Sequence, residues 1–154
     1  MSEETEAIKI EWMFKFLLIG ILAIIAIVQG PPPGQDKFDQ ERAREVIIKI
    51  KKLKMGEPSF IDFNKYGLIH KGKINCVDYA FSFAALYGFN AEVIISNDHA
   101  FNRVNGAKIE PQQKGDFFIR AEEYRYPHFD YSVKKVIKTI QPEDVQKIKS
   151  YFGM

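Results

Sequence analysis

From Phe16 to Val28 the chain is apolar without a charged side chain, and extending back to Trp12 admits only Lys15. A lysine at a helix end can snorkel its ammonium to the headgroups. At about 1.5 Å per residue this stretch spans roughly 25 Å, enough for a thin hydrocarbon core. Trp12 falls where an indole favours the membrane interface. The run Gly30-Pro31-Pro32-Pro33-Gly34 then ends any helix, because proline lacks the backbone donor and has a fixed φ. The pattern predicts an N-terminal tail over residues 1–11, a transmembrane anchor over 12–29, a Pro/Gly linker over 30–37 and one domain over 38–154. A cleaved signal segment and a buried core helix are the alternatives. The acidic lead (Glu3, Glu4, Glu6, Glu11) and the sequence Gln29-Gly30-Pro31 suit cleavage poorly, and a core helix would usually keep a polar stripe. The expected location is a single-pass membrane protein with its domain on the extracytoplasmic side. Lysines and arginines on both sides of the span leave that orientation weakly specified.

Beyond the linker, Phe38, Val46, Ile47, Ile50 and Leu53 recur at helical spacing and predict a helix within Phe38–Met55. Its other side carries Arg42, Arg44, Lys49 and Lys52, a solvated face or a contact for anionic lipid. Met55 to Lys73 reads as loop. Val77 to Tyr87 reads as a largely buried helix, with Asn75 as N-cap and Gly88 as C-terminal stop. Ala91–Ser96 is a strand pattern. His99–Val104 and Ala107–Glu110 flank Asn105-Gly106, the residue pair of a two-residue type I′ hairpin. Tyr131–Ile140 predicts another strand, and Gln141-Pro142-Glu143-Asp144 opens a final helix. The class is α+β.

Composition narrows the function. With 154 residues, 46% hydrophobic, the chain supports one compact domain. A net charge of +2 lacks the concentrated basic face of a nucleic-acid binder, so no nucleic-acid partner is expected. The single cysteine, Cys76, excludes an intramolecular disulfide. His70, His99 and His128 show no close ligand spacing, so neither a metal nor another cofactor is expected. Nothing in the sequence speaks to oligomeric state.

Cys76 stands at the start of the Val77–Tyr87 helix, where the macrodipole and free N–H groups favour a thiolate and can donate to an oxyanion. The hairpin supplies its partners. With Asn105-Gly106 as the turn, Val104 faces Ala107, Arg103 faces Lys108, Asn102 faces Ile109, Phe101 faces Glu110 and His99 faces Gln112. His99, Phe101, Glu110 and Gln112 then share one face, and Glu110 is the diagonal neighbour of His99. A carboxylate there orients the imidazole and steadies the imidazolium. Gln112, directly opposite, is the neutral alternative. Read blandly, His99 is a core or edge histidine and Glu110 an ordinary strand residue.

The stretch Lys73–Gln112 resembles the transglutaminase-like superfamily. The matching pieces are Cys76-Val77-Asp78-Tyr79-Ala80, Gly88-Phe89-Asn90-Ala91, His99-Ala100-Phe101 and Glu110-Pro111. Glu110 stands where that family commonly has aspartate, and Phe101 where it commonly has tryptophan. The resemblance implies a papain-like core, with the nucleophile helix packed on an antiparallel sheet. It also implies acyl transfer at a peptide or protein amide through a thioester, with Cys76, His99 and Glu110 catalytic. The upstream oxyanion donor is left among Asn64, Tyr66 and Asn75. The alternative is a non-catalytic, membrane-tethered binding module that keeps the fold.

Overall fold

The structure is a computed structural model and describes residues 38–88, 90–113 and 128–154. The expected anchor over 12–29 and the linker after it lie outside the described residues. Among the described residues, no helix is long and apolar enough to cross a membrane.

The described chain is α+β. Helix α1 (Gln40–Ile50), a 3-10 turn (Phe63–Tyr66) and helix α2 (Cys76–Tyr87) precede the strands β1 (Ala91–Ile95), β2 (Ala100–Val104), β3 (Ala107–Ile109) and β4 (Lys135–Ile137). Helix α3 (Pro142–Tyr151) closes the domain. The strands form one antiparallel sheet in the order β3-β2-β1-β4.

Local chemistry explains the element ends. Asp39 caps α1 by accepting from the Arg42 N–H at 3.0 Å. Helix α1 stops at Ile50, earlier than the expected Met55, but the chain turns so that Leu53 still reaches the core beside Ala43, Val46, Ile47 and Ile50. Asn75 caps α2 through its side chain, and Asp78 answers from the third helical position to complete a capping box. Gly88 ends α2 at φ 87° and ψ −131°, a conformation open essentially to glycine alone. At the hairpin, Asn105 (φ 47°) and Gly106 (φ 84°) take the two left-handed positions that a type I′ turn requires. The pairing Val104 with Ala107, Arg103 with Lys108 and Asn102 with Ile109 is the register read from the sequence.

The expected strand over Tyr131–Ile140 shrinks to Lys135–Ile137, and among the described residues β4 pairs with β1 alone. Tyr131 is instead buried just before it, in the approach to the sheet.

Helix α2 is the centre of the domain. It packs on β1 and β2 and carries α1 and α3 on its other sides. The main core gathers Val46, Ile50, Phe63, Phe81, Phe83, Val93, Val104, Ile109 and Ile148. Two polar contacts pin α2 in place. The Tyr79 hydroxyl donates to the Leu53 carbonyl at 2.6 Å, and the buried Asn102 amide donates to the Ala80 carbonyl at 2.9 Å. Ile94 and Phe101 project from the opposite face of the sheet into a second cluster with Phe129, Tyr131 and Val136.

Candidate active site

Capping and hairpin geometry together assemble the site. Cys76 is the first residue of α2 and is half-buried, so its thiol sits at the rim of the core rather than within it. Among the first-turn donors, the Asn75 side chain takes the Val77 N–H at 2.8 Å and completes the capping box with the Asp78 N–H. The Tyr79 N–H goes to the Asn75 carbonyl at 3.3 Å. Among the described residues, the Cys76 N–H is the first-turn donor without an acceptor.

His99 lies immediately before β2, and its residue is only 3% exposed. The Ser96 hydroxyl bridges its backbone, donating to the His99 carbonyl at 2.9 Å and lying 3.1 Å from the His99 N–H. Nε2 of the ring lies 2.7 Å from Glu110 Oε2. The other side of the ring meets Cys76, in a contact looser than a well-formed hydrogen bond. Nucleophile–base contacts are commonly loose before substrate binds. Phe129 stacks on the imidazole at 4.3 Å between centroids, and Tyr131 meets it edge-on at 5.4 Å. His99 therefore sits at the end of the sheet, between the second aromatic cluster and the start of α2.

Glu110 is fully buried, and three donors satisfy it. Its Oε2 accepts from His99 and from the Tyr131 hydroxyl at 2.8 Å, and its Oε1 accepts from the Gln112 backbone N–H at 3.1 Å. Charge-assisted bonds of this kind are what make a buried carboxylate tolerable. Burial pulls the pKa of His99 down, but hydrogen bonding and attraction from Cys76 and Glu110 outweigh it and hold the imidazole up at about 9. At neutral pH the ring carries its proton, poised between thiol and carboxylate.

The remaining sequence candidates fall out differently. The Gln112 amide reaches the Met55 sulfur at 3.5 Å, and its backbone N–H serves Glu110. The Tyr66 hydroxyl donates to Asp144 at 2.6 Å and accepts from the Gln141 N–H at 2.9 Å, so it docks α3. Burial and the bond to Asp144 push Tyr66 up to about 12. Asn64 is exposed on the 3-10 turn, and its backbone serves that turn's own caps. Asn75 adjoins the thiol, but its side-chain oxygen is spent on capping α2.

Sequence reasoning missed Tyr131, Phe129 and a polar cluster beneath the helix start. In that cluster Asp78, fully buried, bonds the Asn75 N–H at 2.9 Å, His70 Nε2 at 3.0 Å and the Ser59 hydroxyl. The Asn75-x-x-Asp78 spacing of a capping box was the available signal for Asp78. None of the partners from distant loops had one.

A groove of about 880 Å³ lies toward the other end of α2, lined by Ala84, Gly88, Glu92, Lys138, Val145 and Lys149 among others, and no member of the Cys76 site lines it. Comparison with models of known protein families, with curated proteins and with solved structures finds no match to this chain.

Proposed function

We propose that Cys76, His99 and Glu110 form a thiol acyl-transfer centre of the transglutaminase-like, papain-like kind, acting on peptide or protein amides. The observation that carries this reading is the line of contacts from the half-buried Cys76 through a buried imidazole to a fully buried carboxylate at 2.7 Å. A thiol beside an imidazole that is itself oriented by a carboxylate is the arrangement nucleophilic catalysis by cysteine uses. The thiolate attacks the carbonyl carbon, the C–S bond forms, and the developing oxyanion is met by the Cys76 N–H. His99 delivers its proton to the departing amine as the C–N bond breaks. Water, deprotonated by His99, then hydrolyses the thioester to the acid and restores the thiol. Water is the proposed acceptor, which makes the activity that of a peptidase or amidase. The segment 12–29 is proposed as the membrane tether for this domain.

The test uses p-nitrophenyl acetate, an activated ester that reports acylation by releasing p-nitrophenolate. The expected result is an acetyl adduct on Cys76, seen by mass spectrometry, that disappears in Cys76→Ala and is strongly slowed in His99→Asn. An adduct forming equally fast in His99→Asn would defeat the reading. The second reading is a membrane-tethered binding module without turnover. The groove at the far end of α2, away from the thiol, is the observation that favours it. It predicts no acetyl adduct at all.

A further inference from the structure

We propose that Asp78 is a positioning residue that aims the Cys76 backbone N–H at the substrate oxyanion, held in turn by His70 and Ser59. The proposal rests on the acyl-transfer reading and adds residues that reading does not use.

The Asp78 carboxylate is fully buried and gathers three donors. Oδ2 accepts from the Asn75 N–H at 2.9 Å and from His70 Nε2 at 3.0 Å, while Oδ1 accepts from the Ser59 hydroxyl. His70 Nδ1 accepts from the Gly72 N–H at 3.1 Å, so the ring proton resides on Nε2 and points at Asp78. The His70 side chain is itself 6% exposed and rests on the Phe63 ring at 4.3 Å. A helix cap needs only one bond from the third position back to the N-cap, and usually makes it at the surface. Here the capping carboxylate is buried and braced by two further side chains from a separate loop.

The bracing holds the two peptide planes that flank the Asn75 Cα. Asn75 is held at its N–H by Asp78, at its carbonyl by the Tyr79 N–H, and at its side chain by the Val77 N–H. Its φ of −144° and ψ of −166° are thereby set. Those angles orient the peptide between Asn75 and Cys76, which carries the Cys76 N–H. The same cap uses up the next donors, so that among the described residues the Cys76 N–H is the first-turn donor available to an oxyanion.

Two probes separate positioning from structure. Iodoacetamide alkylates a thiolate by direct displacement and forms no oxyanion. p-Nitrophenyl acetate acylates it through a tetrahedral oxyanion, from which p-nitrophenolate leaves with its electron pair. In the full chain, Asp78→Asn should slow acylation by about 10–100-fold, less than the loss from deleting an oxyanion donor outright, and leave alkylation at the wild-type rate. His70→Gln and Ser59→Ala each remove one brace and should slow acylation by about threefold to tenfold, the worth of one hydrogen bond, again without touching alkylation. These two carry the test if Asp78→Asn does not fold, which circular dichroism will show. Acylation insensitive to all three changes, or acylation and alkylation slowed in parallel, overturns the proposal while sparing the acyl-transfer reading. A wild-type Cys76 that alkylates but never acylates overturns both.

Discussion

Replacing Glu110 by glutamine keeps the size of the side chain and changes what each of its atoms can do. In the native site one carboxylate oxygen serves His99 and Tyr131, and the other serves the Gln112 N–H. Glutamine has a single acceptor oxygen. If that oxygen faces His99, the amide nitrogen faces the Gln112 N–H, two donors opposed in a site with no exposure. If it faces Gln112, the amide nitrogen faces His99 Nε2, which must then give up its proton and accept. The proton moves to the nitrogen that should receive it from Cys76, the wrong tautomer for a base. Either arrangement leaves one buried polar group unsatisfied, a cost of about 1–3 kcal/mol. For a domain of this size that lowers Tm by about 4–12 °C at neutral pH. Acyl transfer should fall by roughly tenfold to ten-thousandfold, the upper end being the loss seen when a triad carboxylate is neutralised. The assays are thermal unfolding, p-nitrophenolate release, and NMR titration of the His99 imidazole. His99 is held at about 9 partly by Glu110, so its midpoint should drop in Glu110→Gln. An unchanged His99 midpoint together with wild-type acylation would show that Glu110 neither charges nor orients the ring.

Three further outcomes follow from the same contacts. His99 is raised from 6.5 to about 9, so between those values the folded chain binds more protons than the unfolded one; stability should be fully present below pH 6.5 and decline as pH rises to 9. Urea midpoints across that range check it, and a flat profile in the wild type would contradict the site's electrostatics. Tyr131→Phe deletes one donor to Glu110 and should cost about 0.5–1.5 kcal/mol with a severalfold slower acylation; an effect as large as that of Glu110→Gln would mean Tyr131 does more than orient. The full chain should sediment with membranes and resist alkaline carbonate, given the uncharged Phe16–Val28 run, and release into the soluble fraction would remove the tether.

How far the sequence alone reaches is set by distance along the chain. The Asn75 cap, the Gly88 stop and the Asn105-Gly106 turn each depend on backbone angles and donors within a few residues, so both ends of α2 and the hairpin register were legible in advance. Because side chains alternate strictly along paired strands, that register alone predicted that Glu110 could reach His99. The sequence also placed Cys76 at a helix start, although its contact with His99 joins that helix to the loop between β1 and β2. The remaining contacts join segments far apart in the chain. Tyr131 reaches Glu110 across 21 residues, Ser59 reaches Asp78 across 19, and Tyr66 was drawn away to Asp144 across 78. No periodicity encodes such pairings. A tyrosine or serine in a loop finds its partner only after burial has brought distant segments together and made an unsatisfied polar group costly.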